Sequence, residues 1–469
     1  MPESSGSNPA IHLTLLFRVL FALVFITGAL ARIVDSTGWR KVGPDELMYR
    51  RYVNFMDGYH GIVGVFPSDE RGKTSGYNLL VPFEARIEST GAMAMPEIAS
   101  FYLTTQRSPD TLCELPPTRF LYIYTSWLWK CAQFGHQSPL SLEELQIVPR
   151  SDDYSRDPDR RDPALASLHR VACTFSILLI LTAGLFAVRM FGWAGGTGVL
   201  AIVAFDPVQL HLSQHAMVDG YFAFWATAAL WTTWECLRAP SQTTWLAAHC
   251  LVLACMVMTK ENAFFVYAGL AAVVLANRWL SFGVVTRRFI AVSLFGGLLG
   301  LCCLVLLSGG AGNFIEIYRT LVSKAQNLEY ARLTGSGPWY RYIFDIMTMN
   351  PIVVCLAIGA IASLFVDRKE VAFFALFIAG SYLVMCNVRY GINLRYTSIW
   401  SMPLSALTFA MLVHISKSFQ RHALFLAFAV VALSAYEMRQ YAVFFTDREH
   451  PLYELDPGEL LRQVGVLKS

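Results

Sequence analysis

Charge is what this chain has least of: Asp, Glu, Lys and Arg make up 15% of its 469 residues, against a hydrophobic share of 55%. With a mean hydropathy of +0.44, that balance excludes an ordinary soluble domain. The formal net charge of +3 is spread along the chain. No Lys/Arg block is dense enough to follow a nucleic-acid backbone, so nucleic acid is excluded as a partner. The first residues, Met1 to Ala10, lack a basic cluster, and no small-residue cleavage site follows the apolar run at 11–31. That run is therefore expected to be a retained span and not a signal peptide. Internal repeats are absent, and no polar stretch has the composition of a separate soluble catalytic domain. Eight of the ten cysteines (Cys173, Cys236, Cys250, Cys255, Cys302, Cys303, Cys355 and Cys386) lie in apolar stretches, where a thiol behaves as a small hydrophobe. Only Cys113 and Cys131 are placed to face an oxidising compartment together, and sequence does not supply the geometry of a disulfide.

What is present is a succession of apolar runs near the length of about 20 residues that a membrane span requires. They fall at 11–31, 166–190, 195–213, 217–235, 243–259, 262–277, 288–308, 347–366, 371–387, 397–414 and 423–440. The expected fold is an all-α polytopic membrane protein of about 11 transmembrane helices, within a range of about 10–13. Residues 1–440 form one membrane-embedded domain on this reading, followed by a short tail at 441–469.

Orientation follows from the basic residues. With the N-terminus in the cytoplasm, the inner loops hold Arg189, Arg238, Arg278, Arg287, Arg288, Arg368, Lys369, Lys417 and Arg421, as the positive-inside rule demands. The same assignment places loops 32–165 and 309–346 and the C-terminal tail outside, in an inner or plasma membrane. Residues 116–134 are aromatic-rich, carry Arg119 and Lys130 and open on Pro116-Pro117. They are expected to form a helix lying in the membrane plane and not a further span. The stretch Glu143 to Asp162 that follows holds seven acidic and four basic residues, which does not suit a cytoplasmic loop.

Four polar sites then share the external side: Asp45-Glu46, His211 to His215 with Asp219, Thr259-Lys260-Glu261, and Asn393-Leu394-Arg395-Tyr396. Each alone has a structural reading. Asp219 can cap a helix, Lys260 and Glu261 can snorkel as a pair, and Arg395 can bind lipid headgroups. Their common side argues for a shared task on an amphiphilic substrate, because ionisable groups are costly near hydrocarbon. The set suits group transfer from a lipid-linked phosphate, a leaving group that departs as an anion and needs nearby cations more than a proton. Lys260 and Arg395 are the candidates for that phosphate. An acceptor hydroxyl needs one base on the opposite face of the anomeric carbon. Asp45 is the candidate, with Glu46 and Asp219 positioning acceptor or base.

The order of the chain resembles the membrane-embedded glycosyltransferases of the C-type fold, in the branch of the protein O-mannosyltransferases and the lipid A aminoarabinose transferases. The matching features are Asp45-Glu46 after the first span, Leu115-Pro116-Pro117 opening a helix that ends at Phe134-Gly135, and Leu168-His169-Arg170. They continue with Pro207 to Asp219, Met258-Thr259-Lys260, Gly337-Pro338-Trp339-Tyr340-Arg341-Tyr342, and Asn393-Leu394-Arg395-Tyr396 followed by Pro403. The resemblance implies a polyprenyl-phosphate sugar donor. It places the family's catalytic Asp on Asp45, the adjoining Glu on Glu46, the second external acid on Asp219, its Lys on Lys260 and its phosphate-side Arg on Arg395. The family often has His or Lys before the double Pro, where this chain has Cys113-Glu114-Leu115, so a contact there is not implied. Acceptor identity is expected to lie in the stretches from Trp39 to Glu114 and Gln137 to Pro163.

Remaining polar and aromatic residues have lesser roles. His211 and His215 lie one helical turn apart; a divalent metal is the minor alternative to plain hydrogen bonding, and no cofactor is implied otherwise. His215, Trp339, Tyr340 and Tyr396 are candidate substrate contacts, whereas Trp225, Trp231, Trp234, Trp245 and Trp279 suit an interfacial aromatic belt. Gly296, Gly297 and Gly300 suit close helix packing. The expected partners are a polyprenyl-phosphate sugar, membrane lipids and an acceptor that is protein, lipid or glycan. The rival reading is a transporter or flippase of a lipid-linked saccharide, which calls for polar residues at mid-membrane and two corresponding halves.

Overall fold

The structure, a computed structural model, describes residues 9–34, 44–55, 85–88, 91–93, 119–135, 162–307, 337–388 and 393–446, with a few positions between 311 and 318. Cys113, the Pro116-Pro117 pair and most of the long loop after the first span fall outside the described residues, and with them the Cys113–Cys131 pairing and most of the stretches expected to bind the acceptor.

Helix α1 (Pro9–Ile33) is apolar on nearly every side, and Leu15, Leu16, Leu23 and Ile26 are exposed along it. An outward-facing apolar surface is what a hydrocarbon solvent requires, since lipid tails replace water as the contact. After α2 (Pro44–Phe55), strands β1 (Ala85–Glu88) and β2 (Gly91–Met93) form a short antiparallel hairpin that the apolar patterning did not signal. Helix α3 (Phe120–Phe134) has 15 residues, a length of about 22 Å and too short to cross the hydrocarbon.

Helix α4 (Pro163–Ala204) opens on Pro163, and the Asp162 carboxylate caps it by accepting the N–H groups of Ala164 and Leu165 at 3.1 and 3.0 Å. Its regular course is broken at Gly192, where φ is 75°, a region that costs a residue with a Cβ but not glycine. The chain doubles back there, so that a Cβ on Gly196 would strike Val188. Helix α1 lies along this hairpin. Arg32 binds the carbonyl of Ala204 at 2.7 Å and the hydroxyl of Ser176 at 2.8 Å, while Thr197 reaches the carbonyl of Phe17 at 3.2 Å. The runs expected at 166–190 and 195–213 are thus the two arms, the second interrupted at Asp206-Pro207, where α5 (Pro207–Ser213) begins anew with Asp206 as its cap.

Then follow α6 (Val218–Arg238), α7 (Thr243–Thr259), α8 (Ala263–Leu280) and α9 (Arg287–Leu307). Beyond the second loop come α10 (Arg341–Met349), α11 (Pro351–Leu364), α12 (Lys369–Met385), a 3-10 segment (Leu394–Trp400), α13 (Ser401–Ser416) and α14 (His422–Tyr441). Each expected run falls mainly on helix, but 347–366 is divided at Asn350 between α10 and α11, and 397–414 opens in the 3-10 segment. Six helices among the described residues are long and apolar enough to cross a membrane, and two shorter apolar ones, Thr243–Thr259 and Pro351–Leu364, accompany them. The chain is a helical, polytopic integral membrane protein. Helices α7 and α9 approach closely because Gly296 and Gly300 leave room: a Cβ at either would sit 2.7 Å from a carbonyl of Cys250 or Ala254, the small-residue packing that membranes favour.

The interior divides into two apolar clusters. The larger fills the bundle with Phe186, Trp234, Phe373 and Phe374 in edge-on contacts. The smaller joins α2 and α3 to the starts of α4 and α6 through Tyr49, Val53, Tyr122, Leu168 and Tyr221. This second cluster is the platform on which the charged residues stand.

Candidate active site

Asp45 and Glu46 occupy the first turn of α2, with Pro44 ahead of them. Consecutive helical residues point about 100° apart, and the two carboxylates part company. Glu46 turns inward. Its Oε1 accepts the N–H of Ala216 at 2.6 Å and lies 3.5 Å from His169 Nε2 and 3.4 Å from His215 Nδ1. Burial works against its charge, yet His215 and His169 hold its carboxyl well below the usual carboxylate range. Glu46 therefore ties α2 to the turn between α5 and α6.

Asp45 turns to the other side, a quarter exposed, and forms an ion pair with Arg395, whose Nη1 stands 2.7 Å from its Oδ2. Arg395 is delivered by the start of the 3-10 segment, whose N–H at that position is capped by the Asn393 side chain at 3.1 Å. Its Nε stands 3.7 Å from Asp219 Oδ2 and its Nη1 also reaches Met217 Sδ at 3.4 Å. Asp219, in the first turn of α6, takes a close hydrogen bond from Lys260 Nζ through its other oxygen. Lys260 follows the last turn of α7 and rests over the Tyr396 ring, 4.3 Å from its centroid. Burial lowers the Lys260 ammonium to about 8, with Arg119 and Arg395 acting in the same direction and Asp219 opposing them.

Four of the expected site residues, Asp45, Asp219, Lys260 and Arg395, thus form one chain of alternating sign drawn from separate elements, with Tyr396 as its floor. His215 belongs to the Glu46 anchor instead of this chain. His211 stacks on His215 and on Phe445, with centroids 4.4 and 4.1 Å apart. Among the described residues no group of three or more His, Cys, Asp and Glu side chains is placed to hold a metal ion. Trp339 and Tyr340 stand exposed ahead of α10, edge-on to each other, with the Trp339 carbonyl bound to the Tyr382 hydroxyl at 2.5 Å.

Sequence reasoning did not assign Arg119 or Tyr49 to the site, and it placed Glu261 beside Lys260 without giving it a role. Arg119 Nη2 donates to Glu261 Oε1 at 2.6 Å, and its guanidinium lies over the Tyr49 ring at 5.8 Å. Burial disfavours the Glu261 charge, but Arg119 and Lys260 hold its carboxyl low. Tyr49 lies one helical turn beyond Asp45, and an aromatic at that spacing was the available signal. The same neighbourhood is braced by Lys130 on Asn54 at 3.0 Å and by the ion pair of Arg50 with Asp162.

No family model matches the sequence, and no curated protein sequence matches it either. Solved structures do. The oligosaccharyltransferase of Archaeoglobus fulgidus, in complex with zinc and sulfate, superposes with a TM-score of 0.54 at 10% identity, covering 90% of this chain and 52% of that one. Its apo form gives 0.52 at 13% identity, over 90% and 55%. ArnT from Cupriavidus metallidurans, bound to undecaprenyl phosphate, gives 0.49 at 11% identity, over 97% and 73%. This chain spans about half the length of the oligosaccharyltransferase it matches. At that level of identity it is the architecture alone that is shared, and over the superposed part the chain has the fold of the archaeal oligosaccharyltransferase.

Proposed function

We propose that the protein transfers a sugar from a polyprenyl-phosphate carrier to an acceptor nucleophile at the external face of the membrane, with inversion at the anomeric carbon. The observation that carries this reading is the convergence of Asp45, Asp219, Lys260 and Arg395 at one end of the bundle. Carboxylates and cations interleaved beside lipid suit a substrate with an anionic head and an apolar tail. The shared architecture with an oligosaccharyltransferase agrees with it.

Lys260 and Arg395 receive the donor phosphate in this reading. As the bond between the anomeric carbon and the phosphate oxygen breaks, its electron pair passes to the phosphate, and the two cations stabilise the growing charge. The acceptor oxygen bonds to the anomeric carbon from the opposite face and gives its proton to Asp45. Asp219 holds the two cations in register, and Glu46, buried and away from the reacting atoms, acts by positioning α2.

Incubation of the purified protein with a panel of radiolabelled polyprenyl-phosphate sugars and cell-envelope acceptors tests the proposal. Label is expected to move from lipid to acceptor with at least one donor. Release of no label from any polyprenyl-phosphate sugar, with movement of an intact lipid-linked saccharide across vesicles instead, would establish the transporter reading.

A further inference from the structure

The cluster at the external end holds three carboxylates (Asp45, Asp219, Glu261) and three cations (Arg119, Lys260, Arg395). Its charges balance, and most of its hydrogen-bonding capacity is already committed. Arg395 pairs with Asp45 and Asp219 and donates to Met217, with only its buried Nε, 3.7 Å from Asp219, left without a hydrogen bond, and Lys260 serves Asp219 and the face of Tyr396. Arg119 leaves more unused. A guanidinium carries five N–H donors in a rigid fork, and Arg119 uses only its Nη2 edge, on Glu261.

The Nε and Nη1 of Arg119 are buried and have no hydrogen-bond partner among the described residues. Arg119 as a whole is 5% exposed. Buried donors are nearly always satisfied, so an orphaned pair on a charged group calls for a ligand. Their surroundings are those of the site: the guanidinium lies between the Tyr49 ring, one turn beyond Asp45, and Glu261, the residue after Lys260. Asp45 and Tyr396 are both close enough to act on its charge.

Resting on the donor assignment above, we infer that Arg119 is a third phosphate-contacting cation of the donor site. Its free N–H groups receive phosphate oxygens that Lys260 and Arg395, each already shared with a carboxylate, do not fully satisfy. Nε and Nη1 lie on different edges of the planar guanidinium, so each is offered singly to a phosphate oxygen, with a permanent charge behind both. The additional cation also offsets the second negative charge that phosphate acquires when the sugar leaves.

The test is equilibrium binding of undecaprenyl phosphate, and of undecaprenol as the phosphate-free probe, to the full-length protein and to Arg119→Gln, Arg119→Lys and Glu261→Gln. Arg119→Gln is expected to weaken undecaprenyl phosphate binding by roughly tenfold or more, as loss of a charged hydrogen-bond donor does, and to leave undecaprenol binding unchanged. Arg119→Lys should fall between. Glu261→Gln removes the same ion pair but leaves the cation, so it should bind undecaprenyl phosphate as well as the wild type or better. Equal losses in Arg119→Gln and Glu261→Gln would reduce the pair to a structural brace and overturn the inference. So would wild-type affinity in Arg119→Gln. If Arg119→Gln does not fold, Glu261→Gln decides alone: weakened binding overturns the inference and retained or tighter binding supports it. Wild-type protein that binds undecaprenyl phosphate no better than undecaprenol would instead overturn the donor assignment itself.

Discussion

At one end of the bundle Arg238, Arg278, Arg287, Arg288, Arg368, Lys369, Lys417 and Arg421 lie exposed. Few of them meet a carboxylate. Arg189, itself 59% exposed, binds the buried Glu235 through Nε and Nη2 at 2.8 and 3.0 Å. At the other end Arg119 and Lys260 are buried, Arg395 is nearly so, and each is matched to an acid on another element. The residue types are the same and the desolvation is not. Exposed cations keep their hydration and can set orientation in the bilayer without fixed partners. Buried ones are tolerated only where partners hold them, and the partners here come from α2, α6 and the segment after α7. Under the proposed function, charge at the first end orients the chain and charge at the second serves the chemistry.

The sharpest way to break this contrast is at Asp45. Asp45→Asn keeps size and removes basicity, so turnover should fall by about 100-fold or more while the donor still binds. Arg189→Gln, at the other end, should leave turnover within about twofold, since a pair with one exposed member contributes little. Comparable losses in single-turnover assays of the two variants would dissolve the distinction.

Removing Arg395 should have the next largest effect. Arg395→Ala is expected to cost about 1–3 kcal/mol in donor affinity and Arg395→Lys less, because lysine keeps the charge and loses the fork. The loss should be similar for donors of different sugars, the contact being to phosphate. A loss confined to acceptor binding, seen by titrating each substrate separately, would move Arg395 to the acceptor pocket.

The mildest effect is on pH dependence. Lys260, lowered to about 8 by burial, is protonated below that pH and neutral above it. Affinity for polyprenyl phosphate should therefore be full below about pH 8 and decline as pH rises through it, a range in which no other ordinary side chain but cysteine titrates. Lys260→Arg stays charged throughout and should abolish the decline. A titration that is flat in the wild type, or that declines identically in Lys260→Arg, would remove Lys260 from phosphate binding.

Much of the architecture was legible because membrane solvation writes itself into composition: a span must be apolar along its whole length, and the runs from 11–31 to 423–440 all fall mainly on helix. The break at Asp206-Pro207 was visible for a similarly local reason, as proline removes a donor and disturbs the turn before it. The shared side of Asp45, Asp219, Lys260 and Arg395 was also legible, through the loops that hold them. Their pairing was not. Which acid meets which base depends on how α2 packs against α4 and α6, a tertiary matter that no spacing records. The adjacency of Asp45 and Glu46 misleads in the same way, making twins of two residues that one helical step turns toward different partners. Arg119 escaped because its value lies in hydrogen bonds it does not make. Trp339 and Tyr340 were selected as aromatics in an outer loop, and the described contacts join them to each other, to Phe344 and to Tyr382.

The ion pair of Asp45 with Arg395 bears on timing. Under the proposed function the base is engaged by the very guanidinium that the donor must reach, so an acceptor arriving first finds Asp45 occupied. Phosphate on Arg395 competes for the same N–H groups and sets the carboxylate free, which makes the order of arrival a property of the ion pair. Donor before acceptor is the expected sequence, and water, always present, meets an idle base until the donor is seated. In initial-rate kinetics a dead-end acceptor analogue should then inhibit uncompetitively against the donor. Noncompetitive inhibition against the donor would mean that the analogue also binds before the donor, and that Asp45 is open to the acceptor from the start.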